Sequence, residues 1–198
     1  TKGFSIVINK LRSFFLSKGF IEVHTQDRLS ILAACEDPDT VATYEYAGNI
    51  WPLPQTGQMW LEYELITQPE LPGVFCVSTS YRNEQNPVPG RHKIIFPMFE
   101  FESKGTIKDL KILEEELLEY LGYKLPFTHK SYDEFANHYG VKELSYKEEN
   151  RMATDFGSAV FIEEFPIYTS PFWNMKKSGD YAHKIDVILS GNETIGSA

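Results

Sequence analysis

Residues Tyr81 to Glu102, YRNEQNPVPGRHKIIFPMFEFE, constrain this chain more than any other stretch. An Arg-x-Glu closes a β-rich run, Val74 to Ser80. A turn-rich tip, Asn86-Pro87-Val88-Pro89-Gly90, carries Arg91 and His92. A second run, Ile94 to Glu102, then returns with apolar and acidic residues alternating after Met98. This order predicts a β-hairpin with a long tip, cationic at the tip and acidic at the base. Arg82, Arg91 and His92 suit a polyphosphate, because guanidinium forks match phosphate oxygens. Glu84 suits an exocyclic amine and Phe96 offers a flat face for a base. Period-two alternation puts Glu100 and Glu102 on one face, where carboxylates can hold an ammonium or a magnesium ion. The plainer alternative is a solvated hairpin with ordinary surface charges.

The order aromatic-Arg-x-Glu, Arg-His-x-x-x-Phe and x-x-x-Glu-x-Glu resembles motif 2 of the class II aminoacyl-tRNA synthetases, with the asparaginyl and aspartyl enzymes nearest. The resemblance implies that Arg82 binds the ATP α-phosphate and the substrate carboxylate, and that Glu84 reads the adenine amino group. It also implies that His92 touches the outer phosphates, that Arg91 joins the ATP-binding set and that Phe96 stacks on adenine.

At the N-terminus, Phe4, Val7, Ile8, Leu11, Phe14 and Phe15 recur at helical spacing, and Gly19 stands where a helix would stop. A helix over 4–16 and a strand over 20–24 are expected. This unit resembles motif 1 of the same family, which implies a homodimer interface; the family places a proline where this chain has Gln26-Asp27. A helix packed on its own sheet would explain the stripe equally well.

Residues 31–51 carry few regular signals and read as a loop. Its Ala33-Ala34-Cys35-Glu36 resembles the mobile loop that closes over the amino acid, which gives Glu36 a role in holding the α-ammonium; a solvated acidic turn is the alternative. Gln55 to Glu62 opens a helix running to about Thr67. Its Thr-Gly-Gln-x-x-Leu-Glu is similar to the asparaginyl signature, whereas the aspartyl enzymes carry a lysine in place of Leu61. A free carboxylate needs a positive partner, and an amide needs an acceptor for its NH2. The resemblance therefore favours asparagine, with Gln58 orienting the amino group, jointly with Glu100, and Glu62 facing the side-chain end.

Further on, Ile107, Leu110, Leu113, Leu117 and Leu121 predict an amphipathic helix over 107–121, with Glu114, Glu115, Glu116 and Glu119 assigned to a solvated face. Ser131-x-x-Glu134 and Ser145-x-x-Glu148 are capping boxes opening two shorter helices. Strands are expected over 159–163, 170–175 and 183–189. A carboxylate inside the hydrophobic run Ile185-Asp186-Val187-Ile188 is costly unless paired or metal-bound. This part resembles the approach to motif 3, which implies that Asp186 and Glu193 bind Mg2+.

The 198 residues carry a net charge of −9, which excludes a dedicated nucleic-acid-binding module while leaving a tRNA partner possible. No apolar run is long enough for a membrane span. Cys35 and Cys76 fit no metal spacing and read as reduced thiols of a cytoplasmic protein. The expected fold is α+β, one catalytic domain over 1–198 with an antiparallel sheet flanked by helices. The start at Thr1 fits a piece of a longer protein. Neither motif 3 nor an anticodon-binding barrel lies within these residues. The resemblance implies ATP-dependent, magnesium-assisted activation of asparagine or aspartate to an aminoacyl adenylate. Its alternatives are a free-standing AMP-forming asparagine synthetase and an inactive, regulatory paralog.

Overall fold

The computed structural model describes residues 2–25, 32–87, 89–90 and 92–198. Arg91, Gln26 and Asp27 lie outside the described residues. The chain divides into two compact units, Thr1–Lys104 and Gly105–Ala198.

The first unit runs α1 (Lys2–Ser17), β1 (Ile21–Glu22), β2 (Thr43–Tyr46), β3 (Asn49–Pro52), α2 (Gln58–Thr67), β4 (Gly73–Tyr81) and β5 (Ile95–Ser103). The sheet order is β1-β4-β5, with β1 parallel and β5 antiparallel to β4. Helix α1 ends as expected at Gly19, whose φ is 82°. There the amide of Phe20 bonds back to the Phe15 carbonyl at 3.1 Å. Gly73 is required by close packing, since a Cβ there would enter the Phe20 ring.

The hairpin β4–β5 keeps an unbroken register from Gly73↔Ser103 to Tyr81↔Ile95. Alternation gives it two unlike faces. Phe75, Phe99 and Phe101 form an aromatic core with Phe15 of α1, whose ring lies 5.1 Å from Phe99 and 4.7 Å from Phe101. Val74, Cys76, Ser78, Phe96, Glu100 and Glu102 occupy the other face by register. Leu61 of α2 packs there, fully buried against Val74 and Cys76.

The expected loop over 31–51 is corrected by the structure, with Ile31 itself outside the described residues. Pro38–Thr40 forms a 3-10 turn, and β2 and β3 pair as a hairpin from Thr43↔Pro52 to Tyr46↔Asn49. Its two-residue turn places both Ala47 (φ 51°) and Gly48 (φ 75°) in the left-handed region. Alanine is an unusual choice for such a turn, which is why the pattern did not announce it.

The second unit runs α3 (Ile107–Leu121), β6 (Thr128–Ser131), α4 (Tyr132–Tyr139), α5 (Tyr146–Asp155), β7 (Ala159–Pro166), β8 (Lys177–Ser178), β9 (Tyr181–Leu189) and β10 (Asn192–Ser197). Its sheet order is β10-β9-β7-β6, with β8 beside β9. All pairs are antiparallel except β6 with β7. One core joins Phe135 and Met152 to Val160, Ile162 and Ile188; the other joins Leu118 and Phe127 to Phe161, Ile185 and Val187. Both capping boxes form, with Glu134 and Glu148 reaching back to their serines.

Two expectations fail here. Residues 170–175 form no strand: Ile167–Thr169 is a 3-10 turn, Ser170 adopts φ 56°, and Pro171 has no N–H for a ladder. Glu114 is not solvated but fully buried, with no hydrogen-bond partner on either oxygen. Burial pushes its carboxyl up to about 7; Ser197 opposes this next, and the nearby Asp186 and Glu163 charges add smaller upward pushes. Glu115 is held by His129 Nε2 at 3.2 Å, while His129 Nδ1 lies 2.8 Å from Glu163.

Candidate active site

In the first unit, Arg82 follows directly on β4 and Phe96 lies within β5. The Arg82 amide donates to the Ile94 carbonyl at 2.8 Å, closing the hairpin above its regular ladder. Its guanidinium carbon lies 5.5 Å from the Phe96 ring centroid, and its buried Nε has no hydrogen-bond partner. A buried donor without an acceptor is costly, and an anionic ligand would supply one. In the tip, His92 Nδ1 meets Glu84 Oε2 at 2.8 Å, so these two expected ligand contacts hold each other.

Glu100 is the hub beneath. It accepts from the Thr56 hydroxyl, from the Gly57 amide at 2.8 Å and from the Ser78 hydroxyl at 2.6 Å. These neutral donors fix the start of α2. Gly57 is needed for this approach, because an added Cβ would stand 2.9 Å from Thr25, 3.0 Å from Cys76 and 3.1 Å from Glu100.

Gln58, the first residue of α2, accepts from the Cys35 thiol at 2.8 Å and favours the ionised form of Glu102. Glu62 lies one helical turn on and repels Glu102. Burial first, and Glu62 second, push the Glu102 carboxyl up to about 7. Glu102, expected beside Glu100 as a carboxylate for an ammonium or a magnesium ion, thus joins Gln58 and Glu62. Glu36 is buried, not a solvated turn, and accepts from the Ala33 amide at 2.8 Å and the Gln55 amide at 3.3 Å. Burial pushes the Cys35 thiol up to about 11 and the Cys76 thiol up to about 12, so both are neutral at pH 7.

In the second unit, Asp186 of β9 is 6% exposed and pairs across the ladder with Gly196 of β10. Lys184 Nζ bonds its Oδ2, while buried Oδ1 has no partner. Glu193 Oε1 and Asp186 Oδ1 both approach the bare α-carbon of Gly196, at 3.2 and 3.5 Å from where a Cβ would stand. Burial, then Glu193, push the Asp186 carboxyl up to about 7, against the pull of Lys184. An orphaned buried oxygen beside a second carboxylate fits a hard divalent cation. Among the described residues, no group of three or more His, Cys, Asp or Glu side chains gathers at metal-binding range. A cation at this pair would therefore need its other ligands from substrate or water.

Strands, capped helices and two carboxylate-bearing sheets define a mixed α+β architecture. The profile of the family described as "tRNA synthetases class II (D, K and N)" matches residues 2–198, and the chain belongs to that family. No curated protein matches it. Among solved structures it is similar to the asparaginyl-tRNA synthetase of Pyrococcus horikoshii complexed with asparaginyl-adenylate, at 23% identity and a TM-score of 0.80. That match covers 96% of this chain and 50% of the other. It is also similar to the Entamoeba histolytica asparaginyl-tRNA synthetase with asparaginyl-adenylate (20% identity, TM-score 0.75, 97% and 50% covered). The Entamoeba histolytica aspartyl-tRNA synthetase follows the same pattern (17%, 0.70, 96% and 42%). The chain thus spans about half the length of these relatives, or less. Among the described residues no helix is long and apolar enough to cross a membrane.

Proposed function

We propose that the protein activates asparagine with ATP, forming asparaginyl adenylate and pyrophosphate. The observation that carries this reading is the pair Glu62 and Glu102 beside Gln58, with the Glu102 carboxyl raised to about 7. At pH 7 the Glu102 carboxyl is therefore protonated about half of the time. A protonated Glu102 donates to the carbonyl oxygen of a carboxamide, and Glu62 accepts from its NH2. The free carboxylate of aspartate meets the like charge of Glu62 there, and Leu61, where a lysine would be needed, is committed to the core.

The chemistry is attack of the amino-acid carboxylate on the ATP α-phosphate, and no side-chain nucleophile is required. Arg82 stabilises the charge that develops on the α-phosphate, while Phe96 and Glu84 seat the base and Arg91 and His92 meet the outer phosphates. Glu100 holds Thr56, Gly57 and hence Gln58 in place, and Glu36 secures the loop beside them. Asp186 and Glu193 would hold Mg2+, which neutralises phosphate charge when bound. The half-exposed Phe4, Ile6, Val7 and Leu16 on α1 support a homodimer through the N-terminal helix-strand unit. The free thiols support a cytoplasmic setting. tRNA is the acceptor proposed for the adenylate.

The test is amino-acid-dependent exchange of labelled pyrophosphate into ATP by the intact protein, with asparagine and aspartate in separate reactions. Exchange with asparagine is expected. Exchange with aspartate alone overturns the amino-acid assignment and points to an ammonia-using asparagine synthetase. Silence with both in folded, complete protein points to an inactive paralog.

A further inference from the structure

Lys184 and Asp186 stand two residues apart on β9 and therefore share a face of the sheet. The Lys184 side chain is 19% exposed and that of Asp186 is 8% exposed. Lys184 Nζ lies 4.0 Å from the Phe165 ring centroid while bonding Asp186 Oδ2. The ammonium is thus held from two sides, by a carboxylate oxygen and by an aromatic face. Asp186 Oδ1 remains without a partner and converges with Glu193 Oε1 over Gly196. Glu149 of α5 lines the same open cavity as Lys184 and Asp186, about 290 Å³ in volume.

We propose that Lys184 is an internal counter-ion that competes with a divalent cation for Asp186, and so sets how tightly Asp186 and Glu193 hold it. This rests on the reading of that pair as cation ligands. With Oδ2 taken by the ammonium, Asp186 offers the cation a single oxygen, and the positive charge two residues away opposes a second one. The cation is therefore held weakly until another anion arrives with it. Without the lysine, both Asp186 oxygens face the cation from a buried position where charge is weakly screened.

The test is Mn2+ titration of the nucleotide-free protein at pH 7.5, with free Mn2+ counted by electron paramagnetic resonance. Lys184→Met, which keeps the packing on Phe165, is expected to bind Mn2+ at least tenfold more tightly. Lys184→Arg is expected to match the wild type. Asp186→Asn is expected to lose the site in either background. Should Lys184→Met fail to fold, Lys184→Gln keeps a donor for Asp186 without the charge and is expected to tighten binding in the same direction. Mn2+ should also raise the melting temperature of the neutral variants more than that of the wild type. Unchanged or weaker binding by the neutral variants, with Asp186→Asn still inactive for Mn2+, overturns the role of Lys184 alone. Wild-type affinity in Asp186→Asn overturns the cation site itself, and the inference with it.

Discussion

The Arg82 guanidinium carbon lies 5.5 Å from the Phe96 ring centroid, across the mouth of the β4–β5 hairpin. One side chain comes from just beyond β4 and the other from within β5, and the register Ser80↔Phe96 holds them together. The cation is thereby seated on an aromatic face, with its buried Nε still without an acceptor.

Removing Arg82 should abolish adenylate formation and leave the fold intact. Arg82→Ala is expected to lower pyrophosphate exchange by at least a hundredfold, about 3 kcal/mol of transition-state stabilisation on the scale of an oxyanion donor. Lys should rescue poorly, because an ammonium cannot reproduce a planar fork. Exchange assays beside circular dichroism spectra check this, and near-normal exchange in Arg82→Ala would sink the assignment.

Gly57 gives a sharper structural prediction. A methyl group there meets Thr25, Cys76 and Glu100 at 2.9 to 3.1 Å. Gly57→Ala should therefore cost roughly 1–3 kcal/mol of stability as an overpacked site. It should also push the Gly57 amide off Glu100, so exchange should fall further than the stability loss explains. Urea unfolding and exchange rates measured on one preparation separate the two effects; a variant as stable and as active as the wild type contradicts the packing described.

The parts of this arrangement legible in the sequence are those set by short-range periodicity. Alternation from Phe96 to Glu102 placed both glutamates on one face, and Ser131/Glu134 and Ser145/Glu148 announced their helices because a capping box is complete within four residues. The wiring of Glu100 to Thr56 and Gly57 was not legible, since those partners lie 44 and 43 residues away in the chain. The β2–β3 hairpin was hidden by an Ala47-Gly48 turn, and the Pro171 break by apolar neighbours that read as a strand. Glu114 was readable after all. It stands seven residues after Ile107 and four before Leu118, on the buried stripe of α3 and not beside it.

Glu102 should impose a pH dependence on the amino-acid step. Its carboxyl is raised to about 7, so its proton is lost as pH rises through that value. If the protonated form donates to the carboxamide, kcat/KM for asparagine should fall as pH rises through about 7. Glu102→Gln keeps a donor at all pH values and should flatten that limb. A wild-type profile level through the same range would remove Glu102 from amide recognition.

Glu114 should couple stability to pH in the same sense. Its folded carboxyl titrates near 7 against an ordinary value of 4.5, so between these values the native state binds more protons than the unfolded chain. Stability is then fully present at acid pH and is lost as pH rises from about 4.5 to 7. A shift of this size corresponds to roughly 3 kcal/mol for one fully buried group. Glu114→Gln removes the charge while keeping the shape, so it should stabilise the protein at pH 8 and change little near pH 4.5. Asp186 and Glu102 keep part of the slope in the variant, since both are raised in the same direction. Urea midpoints at pH 5, 6.5 and 8 test this: the gap between variant and wild type should widen with pH, and a constant gap would mean that the Glu114 carboxyl titrates in the folded protein as it does in the unfolded chain.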